Sequence, residues 1–188
     1  LYGQDPRVMT GLELEEALRS RKEVLREARS ALFLQCVGSR VPERPYCSKV
    51  CCTHSVESAL ELKKLNPGIN IFILYRDIRT YGQREVLYQQ AREKGIVFIR
   101  YDLDEKPIIS LPKGELRDNI DSRIGVMLKD PILNRPVLVP SDLVVLATAI
   151  VPNRDESLAQ AFKVPLDEDG WFLEAHQKLR PVDFATDG

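Results

Sequence analysis

The run Ala31-Leu32-Phe33-Leu34-Gln35-Cys36-Val37, halted by Gly38-Ser39-Arg40, decides how this chain is read. A short apolar run with a sharp glycine stop suits a strand buried on both faces. Downstream of it, the stretch from Val41 to Tyr46 holds two prolines and reads as a loop. Ser48 is placed to cap a helix through about Leu65, which can bury Val56, Ala59, Leu60, Leu62 and Leu65 and which Asn66-Pro67-Gly68 ends. Ile69 to Tyr75 reads as a second strand, Thr80 to Lys94 as a helix stopped by Gly95, and Ile96 to Tyr101 as a third strand. Strand, helix, strand, helix, strand is the order of a parallel α/β sheet with crossover helices, a Rossmann-like arrangement.

On the upstream side, Thr10 and Glu13 form a capping box ahead of a broken apolar stripe (Leu14, Ala17, Leu18, Val24, Leu25, Ala28) that predicts helix to about Arg29. Beyond the third strand the texture changes. From about residue 106 to 139, short apolar pieces are broken by Pro107, Pro112, Gly114, Pro131 and Pro136, which predicts a small antiparallel β-meander. Leu143 to Thr148 is so apolar that it reads as a buried strand returning to the parallel set, and Ser157 to Phe162 as a short helix. The organisation expected is therefore a helical lead-in over 1–30, a Rossmann-like α/β domain over 31–150 and an irregular segment over 151–188.

With 188 residues, 44% hydrophobic and 29% charged, the chain has the balance of a globular domain able to bury a core without staples. Its 27 basic and 28 acidic residues leave a net charge of -1, which implies no general nucleic-acid binding. No apolar run approaches the ~20 residues of a membrane helix, and no signal peptide is evident. The chain opens at Leu1 without Met and stops at Gly188 just past an apolar stretch, so both ends read as cut points in a longer polypeptide.

All four cysteines lie between Cys36 and Cys52, with the spacing Cys36-x10-Cys47-x3-Cys51-Cys52. A disulfide scaffold spreads its cysteines to close long loops, so this crowding points instead to a metal or redox site in a cytoplasmic protein. Cys36 ends the first strand, and Cys47, Cys51 and Cys52 are expected at the start of the next helix. In a parallel sheet those two places meet at the functional edge, where helix amides and the positive dipole end favour thiolates. Four thiolates there suit a [4Fe–4S] centre, a [2Fe–2S] centre or structural zinc. Adjacent Cys51-Cys52 fits the paired knuckles of zinc sites poorly, a regulatory disulfide accounts for two of the four, and small buried thiols are the plain structural reading.

The phrases Leu34-Gln35-Cys36-Val37-Gly38-Ser39-Arg40 and Arg44-Pro45-Tyr46-Cys47-Ser48-Lys49-Val50-Cys51-Cys52 closely resemble the A subunit of heterodisulfide reductase. So do Tyr75-Arg76-Asp77-Ile78-Arg79, Asp142 to Thr148, Phe172-Leu173-Glu174-Ala175-His176 and Leu179-Arg180-Pro181-Val182-Asp183, and the resemblance covers nearly the whole chain. It implies a thioredoxin-reductase-type flavoprotein that carries FAD and [4Fe–4S] modules and passes electrons toward a mixed disulfide of two thiol coenzymes, with flavin-based bifurcation in methanogens. The chain would match the domain that binds the nicotinamide nucleotide in thioredoxin reductase. In this family that domain carries a [4Fe–4S] cluster on cysteines matching Cys36, Cys47, Cys51 and Cys52. The implied role is electron relay between FAD and other clusters, beside other subunits of the complex and ferredoxin or other electron carriers. FAD is expected in the intact protein and not in this stretch, where Ala185-Thr186-Asp187-Gly188 would begin the return to a flavin domain. The competing class is a zinc-bound or metal-free α/β module that docks partner subunits.

The turn after the first strand has one glycine and no G-x-G-x-x-G, so the cysteines stand where a dinucleotide's phosphates would sit and no strong NAD(P) binding is expected. Asp77, after the second strand, is expected to pair with Arg76 or Arg79 rather than a ribose; Arg76, Arg79 and Arg84 read as a solvated rim. His54 is a candidate to tune a cluster or a plain helix-surface residue, and Tyr46 and Tyr75 either shield the cysteines or pack in the core. No arrangement of nucleophile and base, nor of paired carboxylates, marks a catalytic residue.

Overall fold

A computed structural model describes residues 1–112, 122–176, 179–180 and 182–184. The chain forms two compact units, Leu1–Gly38 with Lys49–Ala149, and Ser39–Ser48 with Ile150–Gly188. In the first, strands β1 (Val8–Thr10), β2 (Ser30–Val37), β3 (Asn70–Tyr75), β4 (Val97–Arg100) and β8 (Leu143–Thr148) make one parallel sheet in the order β1-β8-β2-β3-β4. Strands β5 (Ile108–Ser110), β6 (Ile124–Asp130) and β7 (Arg135–Ser141) make an antiparallel sheet in sequence order, the expected meander. Gly114 lies outside the described residues.

Alternation along the central strands sorts the core into two layers. Ala31, Phe33, Ile71, Ile73, Leu143 and Val145 pack with Leu14 of α1 (Gly11–Arg19), with Val56, Ala59 and Leu62 of α3 (Cys51–Leu65), and with Ala91 of α4 (Glu85–Glu93). Leu32, Leu74 and Val144 face the other way, onto Ile124, Val126, Leu128 and Val139 of the meander. Each large apolar side chain among them, taken from water, contributes about 1.5–3 kcal/mol, and that two-sided burial is why β2, β3 and β8 read as unbroken apolar runs.

The helix expected from Thr80 begins only at Glu85, after a 3-10 turn over Gly82–Arg84, and three further local features depart from the sequence reading. The helical lead-in contains a strand: β1 pairs with β8 through Val8, Met9 and Thr10, too short a segment to show a period. The expected helix to Arg29 is interrupted, since Arg21 takes φ +48° and α2 (Glu23–Glu27) restarts after Lys22. Thr10 does form the capping box, donating its backbone N–H to Glu13 Oε2 at 2.7 Å and accepting the Glu13 N–H at 3.3 Å. Third, α3 begins at Cys51 rather than at Ser48, with no side-chain cap.

In the second unit, Val41 and Arg44 exchange backbone hydrogen bonds at 3.1 and 2.9 Å, and α5 (Glu156–Ala161) is capped by the Asp155 carboxylate, which accepts from Leu158 N at 2.9 Å. That bond is the first cause of a lowered Asp155 pKa. The expected return segment, 185–188, lies outside the described residues.

Candidate cysteine centre

The parallel sheet creates the site before any cysteine is considered. From β2 the chain passes through α3 to β3 on one side, while β8 arrives on the other from more than a hundred residues later. Strand order therefore reverses at β2, and the crevice beyond the carboxyl ends of β2 and β8 is where α/β sheets of this kind hold ligands.

Cys36 sits at that reversal in an unusual conformation. Leu34 pairs with Leu146, but the next pair is Val37 with Thr148, so β2 spends one residue more than β8 and bulges. Cys36 lies within the bulge at φ +60°, a left-handed conformation that non-glycine residues rarely adopt. Strain of this kind persists only where its surroundings enforce it, and it clusters at functional sites. Nothing in the sequence hints at it, because a register shift between strands distant in sequence leaves no local trace.

Cys51 and Cys52 open α3 and are buried, as is Cys36. Cys52 Sγ donates to the backbone carbonyl of Asp77 at 3.7 Å, tying the helix start to the turn after β3. Asp77 pairs with Arg79 at 3.5 Å, the bland role expected of it. Cys47 is half-buried and belongs to the second unit, before the start of α3. Its neighbours are fixed there: Arg40 N donates to Tyr46 O at 3.1 Å, the Tyr46 ring meets Trp171 edge-on at 5.9 Å, and Ser48 Oγ accepts from Ile150 N at 3.0 Å. The expectation that Cys47 and Ser48 lie in the helix start is thus corrected; Ser48 serves Ile150 in place of capping α3.

Other candidates separate cleanly. His54 is turned to α1, its Nε2 at 3.3 Å from Glu15 Oε2 and its ring filling the space that a side chain on Gly11 would take. Tyr75 meets Phe98 edge-on at 6.3 Å. Sequence reasoning passes over Gln35, which is fully buried with neither side-chain amide atom paired among the described residues. The available signal is one polar residue inside an apolar run.

A thiolate-held centre requires reduced cysteines at an edge sheltered from water. None of the four cysteines is in a disulfide, and three are buried around the β2 end and the α3 start, so the donor set fits such a centre in kind. Among the described residues no three His, Cys, Asp or Glu side chains are drawn together as metal ligands.

A parallel sheet with helices on one face and a meander on the other is a Rossmann-type α/β arrangement, here with thiols at its switch point. T. acidophilum thioredoxin reductase shares this fold, with a TM-score of 0.52 over 93% of this chain and 46% of that one, at 12% identity. No family model matches the chain. In sequence it is 35% identical, over all of its length and 29% of the relative's, to the A subunit of the H(2):CoB-CoM heterodisulfide,ferredoxin reductase of Methanothermobacter thermautotrophicus. It is 34% identical, over the same shares, to the second iron-sulfur A subunit of the CoB--CoM heterodisulfide reductase of Methanopyrus kandleri. Over its whole length the chain is similar to the A subunits of heterodisulfide reductases, and it spans just under a third of the length of these relatives.

Proposed function

We propose that this chain is an electron-relay domain of a heterodisulfide-reductase-A-like oxidoreductase, with Cys36, Cys47, Cys51 and Cys52 as ligands of a [4Fe–4S] cluster. The observation that carries this reading is Cys36, held in a strained left-handed bulge at the sheet's switch point, beside a helix that starts on Cys51-Cys52 without a cap. A bound cluster would supply one-electron chemistry, at a potential set by burial and by hydrogen bonds to its sulfurs.

The chain's own residues do the rest. The two core layers exclude water from the end of β2, and the Cys52 thiol donates to the Asp77 carbonyl, a bond it would give up on binding a cluster as a thiolate. The bulge fixes Cys36, and the uncapped start of α3 turns its positive end toward negative charge at the thiolates. No side chain here acts as acid or base. The names of the relatives, an iron-sulfur protein and a heterodisulfide,ferredoxin reductase, support a cluster and a ferredoxin-linked complex. FAD would belong to the intact protein, other subunits and ferredoxin would be its partners, and the cytoplasm its compartment. Among the described residues no helix is long and apolar enough to cross a membrane.

The second reading, a zinc-bound or metal-free module docking partner subunits, draws on the ungathered state of the four thiols. Anaerobic iron and acid-labile sulfide analysis separates the two. Cys51→Ser and Cys36→Ser should each remove about four irons per chain relative to the parent protein. Loss of one zinc, or no change in metal, overturns the cluster.

A further inference from the structure

We infer that Gln35 is a positioning residue whose side-chain amide donates a hydrogen bond into the cysteine edge, to a ligand thiolate or a cluster sulfur. The inference rests on the cluster reading above and adds a residue that tunes the potential.

Gln35 is the polar exception in the run from Ala31 to Val37, yet it is 0% exposed. Among the described residues neither its Nε2 nor its Oε1 has a partner. Buried amides are almost always bonded, because withdrawing one from water without compensation is costly. A residue kept at that cost calls for a partner other than the described side chains.

Its place in β2 says where that partner sits. Ala31 and Phe33 face the helix layer with Val56 and Ala59 of α3. A period of two puts Gln35 next in the same row, at the strand end where α3 begins with Cys51 and Cys52. The backbone at Gln35 is held from the opposite layer, since the Tyr101 hydroxyl donates to its carbonyl at 2.6 Å. Its neighbour Cys36 is locked in the bulge. The amide is thus presented on the helix side of a fixed strand end.

The chemistry is complementary. A thiolate or a cluster sulfur only accepts, and an amide nitrogen brings two N–H donors. An N–H···S bond strengthens as negative charge accumulates, so it favours the reduced state and raises the potential.

The test uses the intact protein under anaerobic conditions, following the reduced-cluster signal that Cys51→Ser abolishes. Gln35→Met keeps length and apolar bulk while removing both N–H donors. The expected result is unchanged iron and sulfide with a lower midpoint potential, equivalent to about tenfold in the one-electron equilibrium constant, or about 59 mV. Unchanged iron with an unmoved potential overturns the inference and leaves the cluster standing; it would mean that the amide holds only a buried water. Absence of any cluster signal dependent on Cys51 overturns both. If Gln35→Met loses the cluster, pulsed EPR of the parent protein labelled with side-chain ¹⁵N-glutamine decides. A nitrogen coupling at the cluster supports the bond, and its absence refutes it.

Discussion

Replacing Cys36 by glycine should harm the metal-free protein no more than replacing it by alanine, although glycine is the weaker residue at an ordinary buried strand position. At an ordinary strand position glycine is less stable than alanine by roughly 0.5–1 kcal/mol, because its unfolded chain has more freedom to lose. Cys36 is held at φ +60° by the one-residue shift between its pairing partners on β8. An L-residue in the left-handed region costs roughly 1–2 kcal/mol, which alanine still bears and glycine escapes. Glycine also gives up a buried Cβ worth about 0.8 kcal/mol, so gain and loss roughly cancel and the two variants should agree to within about 0.5 kcal/mol. Both variants lose the same buried thiol, so that contribution drops out of the comparison. Urea unfolding of the two proteins under reducing, metal-free conditions measures the difference. Ala59→Gly, in the interior of α3, is the control and should lose about 1–2 kcal/mol from helix propensity and a lost methyl group. If Cys36→Gly proves less stable than Cys36→Ala by the roughly 1–2 kcal/mol of the control, the bulge does not strain Cys36 and strain no longer marks the site.

Asp142 should matter more than its partial exposure suggests. Its Oδ2 accepts from Arg29 N at 2.8 Å, from Ser30 N at 2.9 Å and from Ser30 Oγ at 3.2 Å, pinning the start of β2 to the turn before β8. Asp142→Ala should cost about 2–4 kcal/mol by thermal or urea unfolding, and a loss under about 0.5 kcal/mol would refute that role. Thr10→Ala should cost about 1 kcal/mol through the capping box. The Glu13 carboxyl is held below the usual range, first by the Thr10 backbone N–H and then by its hydroxyl. A lowered folded-state pKa means that this stabilisation is fully present above the ordinary Glu range and is lost as pH falls through the folded value. The Thr10→Ala penalty should therefore shrink in acid, as paired melts at neutral and acidic pH would reveal; an unchanged penalty would count against the reciprocal cap.

How far the sequence can be read follows from where each signal resides. Strands β2, β3 and β8 are legible because both of their faces are buried and the composition records it. The Thr10–Glu13 cap is legible because its parts stand three residues apart. Strand β1 is not, since its three residues gain their hydrogen bonds from β8, more than a hundred residues away. The start of α3 is hidden for a similar reason: Ser48 has the right chemistry to cap, but its hydroxyl is taken by Ile150 N. The crowding of the cysteines is plain, whereas the backbone conformation of Cys36 and the isolation of the Gln35 amide are not.

By itself, the sequence determined the alternation of strands and helices, the meander, and the gathering of four thiols within one strand end and the loop and helix that follow it. These are local matters of period, propensity and spacing. Only the tertiary structure decided that β8 inserts beside β2, making the end of β2 the point where strand order reverses. That pairing shifts register at Cys36 and forces its left-handed turn. It also encloses Gln35 where its amide meets no partner among the described residues. The physical reason is that hydrogen-bond register between strands is negotiated across the fold, and no window of sequence contains both sides.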